Sequence, residues 1–415
     1  MFEKSPRSRA AAKGSPPLAA RVLELIASGQ ATSRTELAEL LNAAPSTISL
    51  TVGHLLDSGL VAEQGTRSST GGRPRKVLRI GSTDEFAVAA DLGVRHARIG
   101  IVLPGGGLAE ASTVPFAIGD GPEAALPRLA DTLEALAEQA GRHLLRGVGL
   151  SLPGPVDIGS GAVTLPSRMP GWNGFPVGAW LEDRFGVPAA VDNDANCMAV
   201  GEHAVRPVEW RQSIMVKIGS AIGAGIIVDG RLYRGATGAA GEFTHVRIDA
   251  AGDILCSCGN TGCLETVASG AALVRILCES GADVRSPEDV VRLATEADPA
   301  ATHAIRRAGK YLGMVLSANV NFFNPDAVYL GGILSTVEPF VAAVRSQLYE
   351  GCHPLVTKHL VIESASLGAD AGLVGAGQFA LQRALERALR TVTGTSPDDV
   401  PFRAASHRTP SPPNT

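Results

Sequence analysis

Three cysteines fall within eight residues in CSCGNTGC, at Cys256, Cys258 and Cys263. The N-terminus shows no secretory leader, so thiols at this spacing read as metal ligands before disulfide partners. Gly259 and Gly262 supply the tight turns that let three thiolates converge. A closed tetrahedral site needs a fourth donor, and His245 in GEFTH lies a short loop upstream. Three cysteines with one histidine form a recognised structural zinc set, so His245, Cys256, Cys258 and Cys263 are the expected ligands of Zn2+. A redox-active group of thiols is the competing reading. Cys197, Cys278 and Cys352 stand alone and read as small buried apolar residues.

A second chemical group lies in AVDNDANCMAVGE, residues 190–202, where Asp192, Asn193, Asp194 and Asn196 follow an apolar, strand-like run. A carboxylate at the end of a buried strand is well placed to take a proton or to accept a hydrogen bond. Asn193, Asp194, Glu242 and Glu265 are of the types that suit the vicinal hydroxyls of a sugar. Glycine-rich turns at 91–93 (DLG), 217–225 (KIGSAIGAG) and 329–334 (YLGGIL) bring backbone N–H groups within reach of phosphates. Tight turns in any α/β fold use the same residues, so each alone is weak.

These residues need elements to hold them. A chain of 415 residues is expected to form two or three domains. Frequent glycine (48 residues) and few aromatics (4%) favour α/β structure with many tight turns. From residue 85 to about 382, strand-like runs such as FAVAADLGV, RGVGLSL, SIMVKIG and AVYLGG alternate with helical ones such as THAIRRAGKYLGMVLSANVNFF. The span is long enough for two lobes, and no tandem repeat is evident. Residues 391–415 read as a disordered tail, as do the basic residues 1–16.

Residues 17–82 have another texture. Val22, Leu25 and Ile26 mark a first helix; Ser33 and Glu36 form a capping box for a second. A third places Ile48, Val52, Leu55 and Leu56 on one face and Ser46, Thr47, Ser49, Thr51 and His54 on the other. Two short strands then flank GTRSSTGGRP, giving a winged helix-turn-helix layout. The whole-chain charge of −4 says nothing about nucleic acid, but basic residues crowd positions 4–79. The third helix is expected in a major groove, with Arg34, Arg67, Arg73 and Arg75 at phosphates or the minor groove. A helical domain for protein contacts is the competing reading.

Taken in order, GLSLPGPVD (149–157), VDNDANCMAVGE (191–202), IGSAIGAGIIVDGRLYRGATGAAGEFTH (218–245) and CSCGNTGCLE (256–265) resemble the ROK family of bacterial sugar kinases and repressors. The resemblance covers nearly the whole chain. It implies an actin-like (RNase H-like) two-lobed ATPase-type domain at 83–390, with the ligand in the cleft. It implies zinc on His245, Cys256, Cys258 and Cys263, and sugar hydroxyls at Asn193, Asp194, Glu242, His245 and Glu265. In the kinases the residue matching Asp194 is the base that deprotonates the attacking hydroxyl. Two departures bear on that role. Family kinases read D-x-G-G-T where this chain has DLGVR, so Val94 and Arg95 replace a glycine and a threonine. Ser220 and Ala221 likewise replace a threonine and a glycine in the second loop.

The expected protein is therefore a cytoplasmic, nucleoid-associated regulator, a repressor of carbohydrate metabolism or transport genes. Its partners are operator DNA, a sugar effector and further copies of itself as a homodimer or homotetramer, with no membrane. The sugar is expected to shift the lobes and so the DNA heads. ATP and Mg2+ are not expected. An ATP-dependent, glucokinase-like hexose kinase with an added DNA head is the alternative, with Asp194 catalytic in that case alone. A scaffold with a vestigial cleft is the third.

Overall fold

The structure, a computed structural model, describes residues 18–27, 30–67, 75–81, 84–206 and 210–393. The described residues divide into two compact units, 18–81 with 385–393, and 84–384.

In the first unit, helices α1 (Leu18–Ala27), α2 (Arg34–Leu41) and α3 (Pro45–Asp57) precede strands β1 (Val61–Arg67) and β2 (Arg75–Ile80). The two strands pair antiparallel, with an irregularity between Gln64 and Thr66. Val22, Leu37, Ile48, Val52 and Leu78 share one core, which Leu389 completes. Ser33 caps α2 by accepting from the Glu36 N–H. The return arm of the expected capping box shifts by one residue: the Glu36 carboxylate accepts from the Thr32 N–H at 2.7 Å. Pro45 opens α3, where its missing N–H is no loss.

The second unit holds two sheets. Strands β3 (Phe86–Leu92), β4 (His96–Val102) and β5 (Leu108–Pro115) form an antiparallel meander. After helix α4 (Pro122–Ala140), strand β6 (Leu145–Leu152) joins parallel to β3. A small hairpin of β7 (Val156–Asp157) and β8 (Ala162–Val163) and helix α5 (Val177–Phe185) lead to β9 (Ala189–Asn193), parallel to β6. Helix α6 (Asp194–Ala204) crosses to the second sheet. There β10 (Ser213–Ile218), β11 (Ile222–Val228) and β12 (Arg231–Tyr233) form another antiparallel meander. Helices α7 (Glu265–Ala268), α8 (Gly270–Glu279), α9 (Pro287–Thr295) and α10 (Pro299–Phe323) follow. Then β13 (Ala327–Gly331) lies parallel to β10. Helices α11 (Glu338–Gly351) and α12 (Pro354–Thr357) lead to β14 (Val361–Ser364), parallel to β13. Helix α13 (Ala371–Thr393) is the last element of the described residues.

The two strand orders are β5-β4-β3-β6-β9 and β12-β11-β10-β13-β14, the same pattern twice. The duplication corrects the expectation of no repeat. It is one of topology, carried by strand pairing rather than by shared residues. Central strands β3, β6, β10 and β13 are buried on both faces, which their near-continuous apolar runs require. Helices α4 and α5 cover the outer face of the first sheet through Leu126, Leu133 and Leu181. Helices α8, α10 and α11 cover the second through Leu273, Leu312 and Phe340. Helix α6 lies between the sheets: Cys197 packs with Ala89 and Val102, while Met198 and Ala199 pack with Met215 and Ile227.

The described residues of the first unit run to 81 and those of the second begin at 84. From Leu385 onward α13 packs in the first unit. Thr391 is still helical, so the expected tail from 391 starts inside α13; residues 1–16 and 394–415 lie outside the described residues. Cys197 and Cys352 are buried as expected, whereas Cys278 is exposed.

Candidate ligand site and metal cluster

The residues of the VDNDAN stretch divide sharply by role. Asn193 ends β9 and caps α6, its side-chain oxygen accepting from the Ala195 N–H. Its amide nitrogen donates to the Gly154 carbonyl at 3.3 Å. Both ends of the side chain are thus engaged, so Asn193 acts here as a positioning residue. Asp192 is buried and receives the Asn193 N–H, the Asn196 amide and the Arg234 guanidinium. Asp194 stands in the first turn of α6 with its residue 7% exposed. Negative charge there is favoured by the helix dipole.

Asp194 does not stand alone. The Lys217 ammonium, from β10, is paired with its Oδ2. Burial alone would push Lys217 down; the Asp194 and Asp91 carboxylates outweigh it and hold the ammonium above the ordinary lysine range. Asp91, near the end of β3, accepts a hydrogen bond from the Ser151 hydroxyl. Burial pushes its carboxyl up, against the pull of Lys217 and Ser151. Helix α6 can come this close to β11 because Gly225 faces Ala195 and Ala199, where a Cβ would collide with the helix.

Glu265, in the first turn of α7, is buried. Its Oε2 accepts the Ile222 N–H at 2.9 Å, and its Oε1 meets Arg168 at 3.3 Å. Burial pushes Glu265 up, against that N–H and the Arg168 charge. Arg168 comes from the segment between β8 and α5, so this pair joins the two lobes, as Lys217–Asp194 and Arg234–Asp192 do. The turn after β10 is fixed from the same side: the Gly270 and Ala271 N–H groups donate to Gly219 and Ser220. At the other turn, the Gly93 N–H donates to the His96 carbonyl, while Val94 is 48% exposed and Arg95 is exposed.

His245, Cys256, Cys258 and Cys263 converge, their donor atoms all within 4.8 Å of one another, and could hold a metal ion. His245 Nδ1 lies 3.5 Å from Cys256 Sγ, and the Cys258 and Cys263 sulfurs are 3.7 Å apart. His245 Nε2 faces the Glu242 carboxylate at 3.6 Å. One ring nitrogen of His245 thus lies toward the thiols and the other toward the Glu242 carboxylate. Glu242 itself is exposed. Of the five expected sugar residues, Asp194 and Glu265 are buried where the lobes meet, and the exposed Glu242 is near enough to push the Glu265 carboxyl up; Asn193 and His245 have the partners given above.

On the first unit, Ser46, Thr47, Ser49 and His54 project outward from α3. Thr51 is half-buried and its hydroxyl donates to the Thr47 carbonyl. Leu50, which residue type does not flag, is 67% exposed. Arg34 pairs with Glu63, as does Lys76. Arg67 and Arg75 face one another in the backbone register of the wing, and Arg73 lies outside the described residues. Among the described residues no helix is long and apolar enough to cross a membrane.

Sequence reasoning gave no role to Lys217, Arg168 or Arg234, and named Asp192 without its partners. A signal existed for one of them. A lone lysine in the buried run SIMVKI demands a counter-charge, because an unpaired buried ammonium is costly.

Duplicated five-stranded sheets with carboxylates meeting between them define an actin-like, ATPase-type unit, here joined to a winged helix. The ROK family model matches residues 88–383, and the chain belongs to that family, in its transcriptional-regulator branch. A putative xylose repressor from Caldicellulosiruptor sp. (strain Rt8B.4) is 30% identical over 377 residues, 85% of this chain and 92% of that protein. A solved ROK family transcriptional regulator, a homologue of the Escherichia coli MLC protein, is 27% identical with a TM-score of 0.73, covering 91% of this chain and 98% of its own. The family also holds enzymes. A ROK glucokinase from Streptomyces griseus, solved with glucose and AMPPNP, is 28% identical with a TM-score of 0.61, covering 72% of this chain and 99% of its own.

Proposed function

We propose that the chain is a sugar-responsive repressor of carbohydrate genes that binds a palindromic operator as a symmetric oligomer. One observation carries the reading: the same chain presents an outward polar face on α3 and an inter-lobe site with two buried carboxylates, Asp194 and Glu265. Each is a recognition surface for one of the two ligands such a switch must bind. Two-fold pairing of chains would let two α3 helices meet two half-sites. Ser46, Thr47, Ser49 and His54 would contact the groove. Arg34 would exchange Glu63 for a phosphate, and Arg67, Arg73 and Arg75 would follow the backbone along the wing. Asp194 and Glu265 would accept hydrogen bonds from sugar hydroxyls. The protein would work where the operator is, in the cytoplasm.

Zinc is the metal we assign to the four-donor cluster. Bonds of about 2.3 Å to sulfur give a tetrahedral S···S edge of about 3.8 Å. The Cys258–Cys263 separation of 3.7 Å is compatible with it. The ion would be structural, holding the loop that leads into Glu265.

A gel-shift titration at fixed salt, with a panel of pentoses and hexoses, tests the reading. No shift of the chain's own promoter region at low-micromolar protein would sink it. The second reading, an ATP-dependent hexose kinase, is favoured by Asp194 in the first turn of α6 and by the glucokinase relatives. Against it stand Val94 and Arg95 in the first phosphate turn. A coupled ADP-release assay separates the two, and turnover abolished by Asp194→Asn would establish the kinase.

A further inference from the structure

Phosphoryl transfer of the kind found in this family's enzymes needs a divalent cation held by oxygen ligands near the phosphates. Of the carboxylates where the lobes meet, Asp192 faces Arg234 and Glu265 faces Arg168, which leaves Asp91, on β3, and Asp194, on α6. The Asp194 charge pushes the Asp91 carboxyl up further, as a near neighbour does. Both already face a cation. Lys217 reaches from the opposite lobe, contacts Asp194 Oδ2 and is attracted by Asp91 as well. Ser151 occupies one oxygen of Asp91. Gly372 lies against that carboxylate, where a Cβ would collide with both of its oxygens.

We infer that Lys217 is a built-in cation that occupies the divalent-metal position between Asp91 and Asp194, so that this chain excludes Mg2+ and keeps Asp194 as a hydrogen-bond acceptor. A divalent ion at that place would sit within a few ångströms of a fixed positive charge, in surroundings of low dielectric where repulsion is strong. An Asp194 carboxylate paired through Oδ2 with an ammonium keeps its other oxygen available to a sugar hydroxyl. It accepts that hydrogen bond without having to release a proton to a phosphate chain. Asp194 is thereby a binding group, as the sensor reading has it, and not the base it would be in a kinase. The inference rests on the sensor reading above and adds the residue that separates sensor from enzyme.

Manganese provides the test, because its bound and free forms differ in electron paramagnetic resonance. The full-length chain is loaded with zinc first, so that the cysteine cluster is filled. Wild-type protein is expected to bind no Mn2+ between the lobes. Lys217→Ala is expected to gain one site, with affinity at least about tenfold above wild type. Adding Asp91→Asn to that variant is expected to remove the gain. Should Lys217→Ala fail to melt cooperatively, Lys217→Gln keeps a hydrogen-bond donor to Asp194 without the charge, and the same gain is expected. Equal Mn2+ binding by wild type and variant overturns the inference. So does a folded variant that gains no site. Either result leaves operator binding by the wild-type chain untouched, so failure of this inference is distinct from failure of the regulator reading, which shows in the gel shift.

Discussion

At the scale of single residues, Asp91 gives the sharpest pH prediction. Its carboxyl is raised above the ordinary value of 3.8 by burial, so the folded chain keeps a proton that the unfolded chain has released. Between those two values the folded state binds more protons, and stability falls as pH rises. Asp91→Asn removes the titration while leaving an acceptor for Ser151. The variant should therefore gain stability relative to wild type as pH climbs from about 4, with a flat difference below. Thermal melts of both proteins across the acidic to neutral range check it; a difference that does not change with pH refutes it. The same cluster shows what could be read from residue types. Asp194, Glu265 and the cysteines announce themselves, because carboxylates beside glycine turns and closely spaced thiols have few other uses. Their partners do not. Lys217 is 23 positions from Asp194, Arg234 is 42 from Asp192 and Arg168 is 97 from Glu265, each on the other lobe. Asn193 was legible as a polar group, but its capping of α6 was not, because the helix start that its side chain closes is a property of the fold.

At the scale of elements, helix α13 carries glycines that look wrong for a helix. Gly→Ala in an open helix position gains about 1 kcal/mol. At Gly375 the sign should reverse. A Cβ there would collide with the Cys197 carbonyl on α6, and one at Gly201 would collide with the Ala371 carbonyl on α13. Overpacking of this kind costs about 1–3 kcal/mol or more, which exceeds the gain in propensity. Gly375→Ala should lower the urea midpoint of the second unit, and a raised midpoint would show that the two helices are not in close contact. Strand β5 was missed because, as an edge strand, it is largely exposed and has no apolar run. The long central strands and helices were legible because burial on one or both faces dictates their pattern. The cysteine loop supports a further prediction. Cys258→Ser should drop zinc from about one ion per chain to none and lower the melting temperature, because three donors no longer close the tetrahedron. Affinity in the wild type should also fall as pH falls, since each thiol must lose its proton to bind. Full metal content in the variant would remove zinc from the account.

At the scale of the whole molecule, the question is whether the sugar site and the DNA head share a free energy. The head in its free state holds Arg34 and Lys76 on a single acid, Glu63, so operator phosphates have to compete for them. Operator affinity should therefore fall steeply with salt, as counterion release requires. If a sugar acts by preferring the operator-free arrangement, a coupling of about 1–3 kcal/mol follows, and saturating sugar should weaken operator binding by about 5–150-fold. Linkage then fixes a second number with no further assumption: operator must weaken sugar binding by the same factor. Calorimetry of the sugar with and without operator, beside gel shifts with and without sugar, measures both at one salt concentration. A shared factor well above one establishes that the two sites exchange free energy, and a factor of one in both measurements shows that they do not. Asp194→Asn separates the site from the head. It retains an acceptor but loses the charge that pairs with Lys217, so sugar affinity should fall by about 1.5–3 kcal/mol, or roughly 10–150-fold. Operator affinity in the absence of sugar should stay within about threefold, because α3 and the wing are in the other unit. A variant that loses operator binding without sugar would mean that Asp194 holds the DNA-competent state, and the direction of the switch would be reversed.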